Sequence, residues 1–473
     1  MGFKKTKLKT ATATDITQAY FATKKRNSRV FLIATLLSSM LVGAIGYMIL
    51  AGVSSLSLSF KLPTIITRNI PFLQVNTEPE KLNILLTGIG GAGHEGSDLT
   101  DTIMLASINR RTKSVTMISL PRDLYVEFKI GPQTGRGKLN ELYNRALFKK
   151  MSPAESMKIL ADKVTEITGE PIDRFLQVDF AGFTEFVDTL GGIDVDVPES
   201  IVDREYPDNN WGYQTFRISK GFQTLPGSVA LKYVRSRHST SDFDRSARQQ
   251  LVIGAIKDKL ISLDALTSPT KITGLYNSIV KHIHTDMPAS ELVDLALYSR
   301  SIDRANILAY NINDGCYQGA AFCGAGGFLY TPERELFGGA AVLLPDTATA
   351  RNISEYSNIR RFVGLMCNTP EIGLDKREIV IVNSTRETRL GLKVATKLQK
   401  YGFRIPAKDA VIGSKEPTLS RTEYLDIAQD PTLGIAGSDP TLVALEGFVS
   451  APKTATGSIT ATKFVGAQIG IIL

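Results

Sequence analysis

Cysteine and histidine are scarce in this sequence, which has three and four of them in 473 residues. No histidine stands at metal-ligand spacing from the cysteines, so the sequence argues against a structural zinc site. Its 39 glycines and 20 prolines follow no period, which excludes collagen-like and low-complexity architectures. The remaining composition, 43% hydrophobic and 22% charged, is that of a globular chain, and its length predicts roughly two to three domains.

Excess positive charge is also missing from most of the chain. Residues 1–29 carry eight lysines or arginines and one aspartate, whereas the other 444 residues carry 47 basic and 46 acidic side chains. The formal net charge of +8 therefore belongs to a basic N-terminal tail. Because nucleic-acid-binding proteins present clustered basic surfaces, the sequence argues against nucleic acid as a partner.

Charged side chains are absent from residues 30–60, and residues 30–53 are almost entirely apolar. As a helix, residues 30–53 would span about 36 Å, more than the ~30 Å hydrocarbon core of a bilayer. The basic tail keeps the N-terminus cytoplasmic, which predicts a single-pass protein of the cell membrane with an extracytoplasmic bulk. A cleaved signal peptide is the alternative, although its apolar core is shorter, about 7–15 residues. Residues 54–80, rich in Ser, Pro and Thr, are predicted to be a stalk.

The three cysteines all lie in the part predicted to be exported, where disulfides are permitted. Cys316 and Cys323 bracket the short loop CYQGAAFC, which favours a local bridge between them. Free thiols are the alternative for this pair. Cys367 is expected to be a free thiol.

Strand and helix patterns alternate through residues 81–367. Apolar runs bounded by Gly, Asn, Arg or Pro predict strands at residues 82–87, 102–108, 114–120, 175–179 and 231–237. Helices are predicted at residues 153–168, where Ser152 and Glu155 form a capping box, and at 183–190, 245–262 and 288–300. This alternation indicates an α/β or α+β layered domain.

A second unit is predicted after this domain. Residues 312–345 are a glycine-rich irregular segment, and residues 368–376 read as a linker. Residues 377–473 then form a small C-terminal α/β domain, with a strand at 377–385, a helix at 390–401 and a strand at 402–406. This unit has no glycine-rich phosphate-binding fingerprint.

Charged residues cluster at the ends of predicted core strands, where a packed interior has little use for them. Residues 88–102 form a glycine-rich loop with Asp101 at its mouth, and no GK[ST] follows, so it is not a Walker loop. After the strand at 114–120, a proline projects Arg122 and Asp123 together, where the carboxylate can orient the guanidinium.

A further cluster combines a strand with the start of a helix. Arg235 and Arg237, two apart on the predicted strand, point to one face, and Arg245 and Gln249, four apart on the predicted helix, share a face. Alone, such an Arg-x-Arg pair is typical of a solvated surface. Several guanidiniums with a helix N-terminus and a carboxylate, however, make a cradle for a pyrophosphate and a divalent metal ion.

Five motifs occur in a fixed order along the chain. They are DTIMLASIN (101–109), ISLPRD (118–123), KLNELY (138–143), FAGFTEFVDTLGGIDVDVP (180–198) and YVRSR with DFDRSARQQ (233–250). The set resembles the LytR–CpsA–Psr family of cell-envelope enzymes from about Lys81 to Met366. Residues 377–406 resemble the C-terminal domain often attached to these proteins. The resemblance implies a layered domain with a central mixed sheet flanked by helices.

The resemblance also implies a phosphotransferase. Such enzymes move a glycan from a polyprenyl-pyrophosphate lipid, through a phosphodiester, to an envelope acceptor such as a peptidoglycan hydroxyl. Asp101 corresponds in position to the family's metal-binding aspartate, so the resemblance implies that it binds Mg²⁺ or Mn²⁺, with Asp98 as a second candidate. The catalytic candidates are Asp101, Arg122, Asp123 and Arg245. The residues expected to bind pyrophosphate are Arg122, Lys138, Arg235, Arg237, Arg245 and Gln249. The lipid implies an apolar pocket between the sheet and the helices.

The chain departs from the family pattern at two positions. The family usually has a metal-binding aspartate where this chain has Gly90, and an arginine where it has Leu99. Nearby side chains could replace the lost groups. For the carboxylate these are His94, Glu95 and Asp98, and for the cation Arg136.

Other functions remain as hypotheses. One is a lipid-binding or scaffolding envelope protein without transfer activity, which the two departures favour. Another is a pyrophosphatase that hydrolyses the lipid carrier. The family's older label of transcriptional attenuator conflicts with the predicted topology, because only about 29 residues would face the cytoplasm.

Overall fold

The computed structural model describes residues 80–94, 96–208, 212–236, 242–262, 275, 277, 280–313, 327–375, 377–383, 389–405, 411–413, 423–426, 440–446, 448 and 469–472. The chain divides into two units, residues 80–268 with 278–473, and residues 1–79 with 269–277. The described helices and strands all belong to the first unit. The predicted tail and span, and both Cys316 and Cys323, lie outside the described residues. None of the helices that the structure describes is long and apolar enough to span a bilayer.

Ten α-helices, three short 3-10 helices and eighteen strands lie within the described residues. The helices are α1 (Glu141–Phe148), α2 (Pro153–Thr168), α3 (Phe180–Thr189), α4 (Gly227–Arg235), α5 (Asp242–Ser262), α6 (Ala289–Ser299), α7 (Ser357–Asn368), α8 (Glu371–Leu374), α9 (Leu390–Lys400) and α10 (Pro440–Glu446). The first strands are β1 (Lys81–Ile89), β2 (Thr102–Asn109), β3 (Ser114–Leu120), β4 (Tyr125–Ile130), β5 (Gln133–Lys138), β6 (Arg174–Asp179), β7 (Ile193–Val197), β8 (Ile201–Pro207), β9 (Tyr213–Ile218) and β10 (Gly221–Leu225). The others are β11 (Ile283–Thr285), β12 (Ile307–Asn311), β13 (Leu329–Tyr330), β14 (Leu344–Pro345), β15 (Ile379–Asn383), β16 (Val411–Gly413), β17 (Glu423–Asp426) and β18 (Ile469–Ile472).

A six-stranded mixed sheet forms the centre of the fold, in the order β11-β6-β1-β2-β3-β12. Strands β1, β2 and β3 are antiparallel neighbours, whereas β6 runs parallel to β1 and β12 parallel to β3. The carboxyl ends of β1, β3 and β6 therefore meet the start of β2 at one edge of the sheet. The predicted central mixed sheet flanked by helices is confirmed.

Helix α2 shows how local signals and packing agree. The hydroxyl of Ser152 accepts a hydrogen bond from the backbone of Glu155, whose carboxylate accepts one from the backbone of Ser152. Pro153 occupies the first helical position, and Gly169 ends the helix at φ 76°, a conformation that favours glycine. Both hydrogen bonds from Ser152, first the hydroxyl and then the backbone N–H, lower the pKa of Glu155. The capping box predicted from the sequence is therefore confirmed.

The two faces of the central sheet pack against different layers. One face, including Leu85 and Ile118, packs on α2 and α7 in a large cluster that also holds Ile379 and Ile381 of β15. The opposite face packs Ile84 against residues in and beside α6. A separate cluster joins α3, α4 and α5 to the strand pairs β7–β10 and β8–β9.

The strand predicted at residues 231–237 is wrong, because residues 227–235 form helix α4. Ala230, Tyr233 and Val234 are buried on one face of this helix, a spacing of three and four residues. The aromatic and β-branched residues resemble a strand pattern over so short a segment. Arg235 is therefore the last residue of a helix, and Arg237 lies outside the described residues.

The C-terminal part has its own four-stranded sheet, in the order β16-β15-β18-β17. Strand β15 and helix α9 agree with the predicted strand and helix. The strand predicted at 402–406 is wrong for residues 402–405, which form a turn and an irregular segment. Gly402 has φ 88°, and the Ile405 carbonyl accepts a hydrogen bond from the Gln399 side chain instead of entering the sheet.

Candidate functional site

The charged residues of the predicted site gather at the sheet edge where β1, β3 and β6 end. Oδ1 of Asp101, just before β2, accepts hydrogen bonds from Arg122 at 2.7 Å and from the side-chain amide of Asn140 at 3.3 Å. The Asp101 carbonyl accepts a bond from Arg245 at 3.4 Å. The side chain of Gln249 donates to the hydroxyl of Thr102 at 2.9 Å. Helix α5 is thus fastened to the start of β2 by two side chains.

Asp123 lies between two cations. Its Oδ2 is 3.3 Å from Nε of Arg122, and its Oδ1 is 2.5 Å from Nζ of Lys138. The hairpin β4–β5 returns Lys138 to this position, where it stands opposite Tyr125 in the strand pair. A continuous charge network therefore runs from Lys138 through Asp123 and Arg122 to Asp101.

A cavity of about 110 Å³ opens beside this network. Its lining residues are Asp101, Thr102, Phe180, Asp203, Tyr206, Pro207, Val234, Arg235, Arg245 and Gln249. Four of the predicted site residues therefore line one cavity: Asp101, Arg235, Arg245 and Gln249. Arg122 contacts one of these lining residues, Asp101. Asp123 contacts Arg122, and Lys138 contacts Asp123, so these two residues lie further from the cavity. Arg237 lies outside the described residues.

Aromatic rings hold the guanidinium of Arg235. Its central carbon lies 4.2 Å from the centroid of the Phe180 ring, and it donates to the hydroxyl of Tyr206 at 3.1 Å. Burial raises the pKa of Tyr206 against the opposing charge and hydrogen bond of Arg235. The phenol is therefore neutral and can accept this bond. Flanked in this way, the guanidinium is held in one orientation.

Two buried residues that the sequence did not single out support the cavity. Asp203 of β8 accepts a bond from the hydroxyl of Ser236 at 2.8 Å. The guanidinium of Arg248 donates to the carbonyls of Tyr233 and Ser236, at the end of α4. Arg248 therefore joins α4, which carries Arg235, to its own helix α5, which carries Arg245. The only sequence pattern that indicates a role for Arg248 is its spacing of three residues from Arg245.

Oxygen donors suited to magnesium are present but few. Asp101 is one, and the buried Oδ1 of Asn140 has no hydrogen-bond partner among the described residues. No group of three or more His, Cys, Asp or Glu side chains within the described ranges is arranged to hold a metal ion. The site therefore fits a hard cation that takes most of its ligands from phosphate and water.

Two of the side chains that could replace the lost groups at the family departures, those of Asp98 and Arg136, do not line the cavity. Asp98 accepts a bond from the hydroxyl of Ser97 and does not line the cavity. Arg136 pairs with Glu127 on the β4–β5 hairpin, beside a different groove. Glu95 lies outside the described residues.

His94 is nearest to the place of the missing aspartate. A Cβ added at Gly90 would lie 3.0 Å from the Cβ of His94. The loop after β1 therefore folds His94 into the space beside position 90.

The sequence of this chain is similar to those of known proteins. The sequence model of the LytR_cpsA_psr family matches residues 53–324, more than half of the chain. The cell wall biosynthesis protein LcpA of Corynebacterium glutamicum is 29% identical over 237 residues, which are 46% of this chain and 43% of that protein. The polyisoprenyl-teichoic acid–peptidoglycan teichoic acid transferase TagU of Bacillus licheniformis is 27% identical over 219 residues, 46% of this chain and 63% of that protein.

These matches span about half the length of the two relatives. The crystal structure of TagV from B. subtilis is 21% identical and covers 61% of this chain and 98% of that chain, with a TM-score of 0.45. The family match covers the loop after β1, the hairpin that carries Lys138 and the helices that carry Arg235 and Arg245. The chain therefore belongs to the LytR_cpsA_psr family.

Proposed function

We propose that this protein is a membrane-anchored phosphotransferase. It moves a glycan from a polyprenyl-pyrophosphate carrier onto a cell-envelope acceptor, a hydroxyl of the peptidoglycan type, through a phosphodiester. The observation that carries the proposal is the convergence of Asp101, Arg235, Arg245 and Gln249 on one cavity. The relatives, whose names include transferases of teichoic acid to peptidoglycan, support the same class of reaction.

The residues around the cavity suit phosphoryl transfer, which needs positioning and charge neutralisation more than covalent catalysis. Arg235 and Arg245 present planar guanidinium groups that can bind phosphate oxygens in pairs. Arg122 can turn from Asp101 to a phosphate oxygen, and Asp123 keeps that guanidinium oriented through its contact with Nε. Gln249 supplies an amide next to the same space.

A magnesium or manganese ion is part of the proposal. Asp101 would hold the ion, with the amide oxygen of Asn140 as a neighbouring donor. When bound, such an ion neutralises charge on the pyrophosphate oxygens. The apolar residues 30–53 would anchor the protein beside its lipid substrate.

Transfer with purified full-length protein tests the proposal. The protein is incubated with a polyprenyl-pyrophosphate-linked glycan and peptidoglycan oligomers, and the phosphodiester product is measured by mass spectrometry. Charge-assisted hydrogen bonds are strong, so Arg122→Ala and Arg245→Ala should each lower transfer at least about tenfold. Arg174→Ala is the matched control, because Arg174 pairs with Glu291 at the opposite end of β6.

Two outcomes would contradict the proposal. Release of the glycan phosphate into water without transfer would identify a pyrophosphatase. Binding of the donor with no turnover, in the wild type and both variants, would identify a lipid-binding protein.

A further inference from the structure

An open groove of about 700 Å³ lies beside the cavity of the proposed site. Its lining residues are His94, Phe180, Ala181, Thr184, Glu185, Asp188, Thr189 and Leu231. Phe180 lines both spaces, so its ring is a wall shared by the groove and the cavity. On this wall the guanidinium of Arg235 lies over the ring, and the imidazole of His94 meets it edge to face at 5.2 Å.

The groove differs from the cavity in its charged groups, because the two arginines that line the cavity have no counterpart among the described residues that line the groove. Among the described residues that line it, Glu185 and Asp188 are the charged ones at neutral pH, and no Lys or Arg is present. Lys281 and His282 approach Glu185 from outside the lining at 3.7 Å. A phosphate group is therefore better placed in the cavity, whereas the groove suits a neutral ligand that donates hydrogen bonds.

The chemistry of the lining matches a sugar. Carboxylate oxygens accept hydrogen bonds from hydroxyl groups, and the threonine hydroxyls both donate and accept. The side chains of Phe180 and Leu231 supply apolar surface for the C–H side of a pyranose. A few polar groups around an apolar surface are also what fixes the orientation of a small ligand.

His94 is held at the boundary between the two spaces. Its backbone N–H donates to the carbonyl of Gly91 at 3.3 Å, and the loop is closed by a bond from the Gly91 N–H to the Ser97 carbonyl at 2.9 Å. Burial, and then the charge of Arg235, lower the pKa of His94 below its ordinary value, while Asp179 acts in the opposite direction. An imidazole in its neutral form has one ring nitrogen that can accept a proton, and the contact with Phe180 places this ring beside the cavity.

We propose that this groove is the subsite for a neutral sugar of the acceptor, and that His94 accepts the proton of the attacking hydroxyl. The inference rests on the proposed function. In the step, the sugar oxygen forms a new bond to the phosphorus that carries the glycan, and the bond from that phosphorus to the polyprenyl phosphate oxygen breaks. The electron pair leaves with polyprenyl phosphate, and the hydroxyl proton passes to the imidazole. Only the acceptor needs a base, which assigns the groove to the acceptor and not to the donor glycan.

Binding of a sugar without any donor tests the subsite. The probe is the β-1,4-linked tetramer of N-acetylglucosamine, titrated by calorimetry into the full-length protein in detergent. Glu185→Gln should weaken its binding about tenfold, because a hydrogen bond to a charged group is lost. Glu291→Gln, which lies on α6 beside Arg174, is the matched control. If Glu185→Gln lowers the melting temperature, Thr189→Val is used in its place. Wild-type affinity for the tetramer in the variant tested would overturn the subsite.

Geranylgeranyl pyrophosphate, which carries no sugar, separates the two substrates. Its affinity should be unchanged in Glu185→Gln, because that side chain lies outside the cavity. The third probe is a glycan-bearing donor. If Glu185→Gln weakens that donor and leaves the tetramer unaffected, the groove belongs to the donor glycan and the acceptor assignment is wrong.

The role of His94 is tested by transfer. His94→Gln should lower transfer to the tetramer at least about 100-fold, the range of general base catalysis, with donor affinity unchanged. His284→Gln is the control, since His284 lies on β11 and lines neither space. Transfer by His94→Gln within twofold of wild type overturns the assignment of the base. If the wild type transfers no glycan, the proposed function fails, whereas the sugar titration still decides the groove.

Discussion

The carboxylate of Asp101 forms an ion pair with Arg122, and an incoming phosphate can replace the carboxylate in this pair. Its salt bridge with Arg122 joins side chains that are 39% and 22% exposed, and ion pairs at such exposure contribute little to stability. A pyrophosphate oxygen can therefore take over Arg122 at small cost. In the proposed function, the carboxylate of Asp101 would then exchange Arg122 for a metal ion while the Asn140 side chain still donates to it.

Magnesium binding should consequently depend on the pyrophosphate ligand. Without a phosphate, Asp101 is compensated by Arg122, and binding measured by calorimetry should be weak. With geranylgeranyl pyrophosphate it should become measurable, and Asp101→Asn should abolish it. Asp98→Asn is the control, because the Asp98 side chain does not line the cavity. Tight magnesium binding by the unliganded wild type would contradict this prediction.

Site residues differed in how far the sequence could indicate them. Arg245 and Gln249 stand out because charged and amide side chains recur four residues apart at a helix start. Asp203 and Tyr206 belong to an ordinary alternating strand, β8, and reach the cavity only through the packing of the β8–β9 pair. Phe180 looks like a core residue in sequence. Its role as a wall depends on the position of Arg235, which no local pattern records.

Secondary structure was predictable where packing and local pattern agree. Strands β1, β2 and β3 are continuous apolar runs, and α2 carries its own cap. Strand β5, by contrast, reads QTGRGK and contains no large apolar residue. It is a strand because β4 pairs with it through a turn at Gly131, which has φ 60°. That hairpin positions Lys138, so its position was not predictable from local pattern alone.

The junction of α4 and α5 depends on Arg248, which leads to a stability prediction. Arg248→Met should lower the free energy of unfolding by about 3 kcal/mol, because two buried carbonyls, those of Tyr233 and Ser236, lose a charged donor. Urea unfolding measures this, and transfer should fall as well, since Arg235 loses its support. Arg304→Met, which removes an exposed pair with Asp258, should cost less than about 1 kcal/mol. Equal losses in the two variants would contradict the prediction.

The C-terminal sheet shares its hydrophobic core with the main domain. Phe328 and Phe362 stack at 4.7 Å, and Phe328 also meets Tyr401 just after α9. The guanidinium of Arg361 lies 3.9 Å from the ring centroid of Phe448. Because apolar residues of both parts belong to one buried cluster, we expect them to unfold in a single transition.

Asp375, just after α8, contacts Arg377 and Thr441 and makes stability depend on pH. Burial alone would raise its pKa, but hydrogen bonds from Arg377 and Thr441, together with the charge of Arg377, hold the pKa below its ordinary value. The ionised form therefore stabilises the fold at every pH above about 4. This contribution is lost as the pH falls through the lowered pKa of the folded state.

Asp375→Asn should thus lower the free energy of unfolding by about 2 kcal/mol at pH 7. The difference from wild type should shrink as the pH falls below about 4, because the Asp375 carboxylate of the unfolded chain then takes up a proton while the lowered pKa of the folded state keeps it ionised. Guanidinium unfolding at pH 7, 5 and 3 measures it, with Asp162→Asn of an exposed α2 pair as control. A difference that stays constant over this range would show that ionisation of Asp375 does not contribute.

The predicted topology can be tested on the whole molecule. Protease added to intact spheroplasts should digest the chain beyond about residue 54 and leave only a short anchor fragment. The fragment should carry an N-terminal epitope tag, because residues 1–29 are predicted to remain inside. Full protection of the bulk would contradict both the topology and the proposed envelope function.

The strand order of the C-terminal sheet also determines when its strands can pair during synthesis of the chain. Strand β18 lies between β15 and β17, although it follows β15 by about ninety residues. At a synthesis rate of about 5–20 residues per second, β15 waits roughly 5–18 s for its central partner. Throughout that interval β15, which carries the buried Ile379 and Ile381, can pair with β16 on one side but lacks its partner on the other side. The C-terminal sheet can therefore be completed only after β18 has been synthesised, a delay that the strand order imposes.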